Sequence, residues 1–155
     1  MTCDQLKADP ILKSELILDE GYESKPYKDT MGYWTAGIGH NLDAHGIPWA
    51  QITEWQKTGV PEATISEWFT KDVEEAISCC VKVFEGFEAY PDNAQRVLVD
   101  MAFDLMYRLY DWHDLIKDAE EKNWRAAAGD ILRSRFAQED PPRCRRLANR
   151  MRTAV

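Results

Sequence analysis

The sequence predicts an α+β fold that is mainly α, and three observations carry that prediction. Strand-forming residues (Tyr27, Tyr33, Trp34, Thr35 and Ile38) gather in one window between Pro26 and Leu42, broken by the turn Asp29-Thr30-Met31-Gly32. After residue 60, apolar residues recur at helical spacing. Proline and glycine clusters punctuate those runs. A small sheet near the N-terminus followed by a helical bundle satisfies all three.

In chain order, Asp9-Pro10 reads as an N-cap followed by proline at the first helical position. The helix runs through Ile11, Leu12, Leu16 and Ile17 until Gly21 stops it, leaving Glu20 in the last turn. Pro26 to Leu42 reads as a small antiparallel hairpin or meander. His45-Gly46-Ile47-Pro48 is a turn, and Trp49 to Trp55 is a short helix or an irregular loop. After the break at Thr58-Gly59-Val60-Pro61, Ile65, Trp68, Phe69, Val73, Ala76, Ile77 and Cys80 mark a helix to about Phe84, the longest element and a bridge between two lobes. Tyr90-Pro91-Asp92 opens the next helix, where Ala94, Val97, Leu98, Met101, Ala102 and Leu105 form the best core stripe. Shorter helices are expected near 111–122, 124–134 and 142–153, with Pro141-Pro142 separating the last two.

The 155 residues are within the size of one domain and can bury a sizeable core. No apolar run approaches the roughly 20 residues of a membrane span, and the N-terminal MTCDQLKADP has neither the basic nor the apolar region of a cleavable signal. Net charge is −8, yet residues 141–155 carry five arginines and no acid, which leaves −13 on the rest. Leu147 and Met151, one helical turn apart, give that tail an apolar stripe, so it is expected to dock as a helix on an acidic body; such a body argues against general nucleic-acid binding. Cys3, Cys79, Cys80 and Cys144 lack metal spacing and are expected to be free thiols, one of the adjacent pair being exposed.

Glu20 and Asp29 are the residues with chemistry to offer. A glutamate after an apolar helix and before a glycine can sit against apolar walls, where desolvation keeps it protonated as a general acid. Asp29 lies in the hairpin turn, where aspartate also serves as an ordinary turn residue. Two acids placed across a cleft suit glycosidic bond cleavage: one protonates the leaving oxygen and the other handles water or the sugar carbon. Gly37 and Gly39 allow a tight turn or close approach of a ligand to the backbone. His40 and Asp72 are a candidate structural pair; His45 and His113 form no motif with them, so no metal site and no cofactor are expected.

The run D-E-G, Y-K-D-T, G-Y, T-x-G-I-G-H resembles the signature of the phage-type lysozymes, the endolysins of tailed bacteriophages. Phe69, Asp72-Val73, Asp100-Met101-Ala102-Phe103, Asn123-Trp124, Ser134-Arg135-Phe136, Pro142-Arg143 and Arg150-Met151-Arg152-Thr153 extend the resemblance over nearly the whole chain. It implies one lysozyme-like domain, with an N-terminal lobe at about 12–60, a connecting helix at 61–85, and a helical C-terminal lobe at 86–155 joined by 1–11. It also implies an inverting muramidase that cuts the β-1,4 bond between N-acetylmuramic acid and N-acetylglucosamine in peptidoglycan. By position, Glu20 is the acid, Asp29 and Thr35 manage the attacking water, Arg143 supports Glu20, and Asn41, Phe103 and Asp130 contact saccharide. The expected enzyme is monomeric, without stable membrane association. It would wait in the host cytoplasm until a separate pore-forming protein releases it.

Two features depart from the family pattern. Leu105-Met106-Tyr107-Arg108-Leu109-Tyr110 stands where a glycine-rich turn is usual, and the chain is acidic where relatives are often basic. A saccharide-binding relative that has lost catalysis, and an enzyme acting on chitin, are the competing readings.

Overall fold

A computed structural model describes all 155 residues and is α+β, mainly helical. In order, the elements are α1 (Cys3–Ala8), α2 (Pro10–Glu20), β1 (Glu23–Lys28), β2 (Trp34–Gly37), β3 (His40–Asn41), α3 (Trp49–Thr58), α4 (Glu62–Val83), α5 (Asp92–Leu105), α6 (His113–Glu120), α7 (Trp124–Arg133), α8 (Arg135–Glu139) and α9 (Pro141–Arg152). Single 3₁₀ segments cover Phe87–Ala89 and Met106–Asp111. No helix is long and apolar enough to cross a membrane. The chain forms two compact units, Lys13–Asp72 and Met1–Leu12 with Val73–Val155, and passes from one to the other inside α2 and inside α4.

In Lys13–Asp72 the strands form one antiparallel sheet in the order β1-β2-β3. Asp29 closes the first turn: its Oδ1 accepts from the N–H groups of Met31 and Tyr33, both at 2.9 Å. The register pairs Tyr27 with Thr35, Thr35 with Asn41, and Ala36 with His40. Trp49 to Thr58 is a helix, and α3 packs on β1. Its end is fixed by Gly59, at φ +79°, and by Val60 N–H donating to the Ser24 carbonyl at 2.7 Å.

The other unit is built around α5, where all six stripe residues are buried together with Gln95, Val99 and Asp100. Buried polar groups on α5 are satisfied by specific partners. Gln95 donates to the carbonyls of Met1 and Phe87 and accepts from the N-terminal ammonium. Arg143 Nε and Nη2 donate to Asp100 Oδ1 at 3.1 and 2.9 Å, and Nη2 also donates to the Asp100 carbonyl. On α9, Leu147 and Met151 are fully buried, as the tail's apolar stripe predicts. Asp9 caps α2 through Ile11 N–H and pairs with Arg96.

Two expectations need correction, and one departure from the family pattern takes a definite form. Cys79 and Cys80 are both fully buried. Neighbours on a helix are about 100° apart, and here Cys79 and Val83 widen the buried arc beyond the stripe of Val73, Ala76, Ile77 and Cys80. Pro141-Pro142 opens α9 behind its Asp140 cap, and the short helix α8 occupies the space before it. The Met106–Asp111 stretch forms a 3₁₀ segment entered through Met106 at φ +48°, a left-handed conformation that costs a residue with a side chain about 1–3 kcal/mol. All four cysteines are free.

Removing Arg143 takes a charged hydrogen-bond partner from the Asp100 carboxylate, which is fully buried. Arg143→Ala is therefore expected to lower unfolding stability by about 3–5 kcal/mol, read from urea melts. Burial and the nearby Asp140 carboxylate push the Cys144 thiol up to about 11 from an ordinary value of 9.0. The folded chain then holds its proton after the unfolded chain has released it. This contribution is intact below pH 9 and is lost as pH rises towards 11. Cys144→Ala should flatten that part of the decline in urea midpoints measured at pH 7, 9 and 11.

Candidate active site

Four of the seven candidate site residues, Glu20, Asp29, Thr35 and Asn41, lie in Lys13–Asp72. Glu20 ends α2, where Gly21, at φ +78°, turns the chain into β1. Its carboxylate lies against the β2–β3 turn so closely that a Cβ on Gly39 would fall 2.6 Å from Oε2 and 3.1 Å from Cδ. Gly39 also holds φ +63°, so a side chain here would meet backbone strain and would have to displace the Glu20 carboxylate. The turn glycine is thus one wall of the glutamate's pocket.

Asp29 is oriented by the two N–H donors on its Oδ1, which leaves Oδ2 to face other partners. Thr35 is buried, and its hydroxyl donates to the Tyr33 carbonyl at 3.2 Å. With its proton committed there, the oxygen's lone pairs can accept from a water or a sugar hydroxyl. Directly paired residues on neighbouring strands share a face, so Tyr27, Thr35 and Asn41 form one row across the sheet. Asn41 Oδ1 accepts from Ala44 N–H at 2.9 Å and shapes the following turn.

Tyr27 is a residue that sequence reasoning passed over as a strand former. Its phenol is pushed up by burial, then by the charges of Glu20, Glu23 and Asp29. It therefore senses both acids from the row that carries Thr35. The available signal was cross-strand register, which a single sequence does not display.

The remaining predicted residues lie in the other unit. Phe103 is partly buried on α5. Asp130 on α7 has a side chain only 9% exposed and bonds to Arg133. Its carboxyl is pushed up by desolvation and by hydrogen bonding with Asp118, so it has a role between α6 and α7 whatever the substrate. Arg143 is 3% exposed, with Asp100 as a partner and its guanidinium 5.4 Å from the Phe136 ring centre.

The histidines differ from expectation. His40 does pair with Asp72, Nδ1 lying 2.7 Å from Oδ2. His45, expected to stand apart, folds back so that its ring stacks on His40 at 4.1 Å between centroids, while Trp68 covers the opposite face at 4.3 Å. The tight turn from Asn41 to Ile47 brings together two histidines whose spacing suggested no relation.

An acid at a helix end and a second acid in a sheet turn of the same unit are the two kinds of group that glycosidic cleavage employs. A family model described as phage lysozyme matches residues 18–153, and the chain belongs to the phage lysozyme family. Its activity is accordingly that of a lysozyme, a glycoside hydrolase with peptidoglycan as substrate. No curated protein matches the chain.

Gly39→Ala tests the packing around the acid. It is expected to cost about 1 kcal/mol or more through the left-handed backbone and to displace the Glu20 carboxylate. Peptidoglycan turnover should fall well beyond what the loss of folded protein explains, as measured by turbidity clearing alongside thermal melts.

Proposed function

We propose that this lysozyme is an inverting endolysin that hydrolyses the β-1,4 bond between N-acetylmuramic acid and N-acetylglucosamine, and that it serves host cell lysis by a phage. The observation that carries this reading is the difference between the two acids. Glu20 sits against Gly39 at the end of an apolar helix. Asp29 is held by backbone donors on one oxygen, beside a row of strand residues containing a hydroxyl acceptor.

In this mechanism Glu20 donates its proton to the glycosidic oxygen as the C1–O bond breaks, and positive charge develops on the sugar ring. Asp29 takes a proton from a water attacking C1 on the opposite face, and Thr35 accepts that water's second hydrogen bond. Inversion requires room for the water between the carboxyls, a separation of roughly 6.5–9.5 Å. Tyr27 stands in the row of Thr35 and its raised phenol keeps its proton, so it is proposed to donate to a sugar hydroxyl. Asn41 adjoins the same row and is proposed to contact saccharide. Arg143 as support of the acid, and Phe103 and Asp130 as saccharide contacts, enter the proposal on family resemblance alone. Release to the wall by a separate pore-forming protein is part of the same reading.

Glu20→Gln keeps shape and removes the transferable proton, so lysis of chloroform-treated Gram-negative cells should drop roughly 10²–10⁴-fold with the melting temperature retained. Asp29→Asn should be similarly impaired, because the water loses its base. NMR of the first product should show the α-anomer; the β-anomer appearing first would overturn inversion. Lysis by Glu20→Gln at the parent rate would remove the acid assignment altogether.

A further inference from the structure

We propose that Trp49, braced by Trp34 and Lys28, is a second contact for wall glycan, on the face of the sheet turned away from the catalytic row. The proposal rests on the family's peptidoglycan substrate and not on the roles given to Glu20 and Asp29. Lys28 pairs with Trp34 across β1 and β2, one position out of phase with Tyr27 and Thr35. Side chains alternate between faces along a strand, so the two pairs lie on opposite sides of the sheet. Neither acid's assigned role uses this pair.

Trp49 is the first residue of α3 and is 60% exposed. Its place is nonetheless fixed. Pro48 precedes it as the N-cap residue, and its carbonyl accepts from Thr53 Oγ1 at 2.8 Å. Its ring lies 5.4 Å from that of Trp34, tilted by 52°. Trp34 is half-buried, its backbone N–H donates to Asp43 Oδ2 at 2.8 Å, and the Lys28 ammonium stands 5.6 Å from its ring centre. Ile52, at 2% exposed, already anchors α3 in its lobe. Packing of the helix therefore does not account for an indole held in the open at its first position.

The chemistry of that surface selects the ligand. Pyranose rings of the β-linked glucosamine type carry their substituents equatorially and their ring C–H bonds axially, so each ring offers an apolar face. The negative π-face of an indole attracts such C–H groups, and a ring already held in place gives up little freedom on binding. Lys28 adds a positive charge beside the platform in a chain of net charge −8, matching the carboxylates of the stem peptides that hang from the glycan. A polymeric substrate extends far beyond one cleft. A contact on another face would keep the enzyme on the wall between cuts.

The test is co-sedimentation of the full chain with purified peptidoglycan sacculi, in a Glu20→Gln background so that binding is read without turnover. Trp49→Leu, which keeps an apolar side chain but loses the π-face, should raise the apparent Kd roughly threefold or more. Trp49→Tyr keeps a π-face and should stay within about twofold of the parent. Equal binding by the Leu and Tyr variants overturns the proposal. So does a concentration-dependent dimer that Trp49→Leu abolishes in sedimentation velocity, since a second copy would then be the occupant. If Trp49→Leu does not fold, NMR of the indole N–H groups in the Glu20→Gln chain decides. Added N-acetylglucosamine hexasaccharide should shift the Trp49 signal, and an unmoved signal removes the site. Lysis by Glu20→Gln is read separately, so the catalytic assignment and this one fail independently.

Discussion

Strand register is the constraint on which this molecule's chemistry depends. Side chains alternate between faces along a strand, so a slip of one residue would exchange the faces of Thr35 and Ala36. The pairing Tyr27–Thr35–Asn41 places a hydroxyl and an amide in one row, and Ala36–His40 on the other face sends the histidine into the stack with Trp68. Asp29 sets this register at its source by capping the turn through Met31 and Tyr33. The residue offered as the catalytic base is therefore also the one that shapes the sheet. Its two tasks use different oxygens.

The helical unit solves a different problem, the burial of charge. Asp100 and Arg143 lie almost wholly out of water, where desolvation offsets most of their attraction. Their geometry compensates through several directed bonds, including one to the backbone of α5. A bond to a main-chain carbonyl specifies which turn of α5 meets α9. An apolar contact would tolerate sliding, so the pair serves to define position at least as much as to stabilise.

Long elements were legible in the sequence because periodicity accumulates with length. The spacing over Ile65–Cys80 and Ala94–Leu105 recovers α4 and α5, and Asp9-Pro10 with Gly21 bounds α2. The short helices α1 and α8 escape because five or six residues hold too little pattern, and their caps, Thr2 and Ser134, are ordinary surface residues until their backbone partners are known. Glu20 and Asp29 stand out through the motif that contains them, since each alone reads as a solvated acid. Tyr27, Asp100 and His45 were hidden because their significance arises from partners distant in sequence or across a turn.

Gly39 has a consequence for inheritance. Any missense change in its codon adds at least a Cβ, and the space where that atom would go already belongs to the Glu20 carboxylate. A substitution at position 39 therefore acts on the acid, by moving the Glu20 carboxylate, although glycine itself has no side chain to take part in chemistry. The geometry of the β2–β3 turn and the placement of Glu20 are thus coupled through a single residue that carries no functional group.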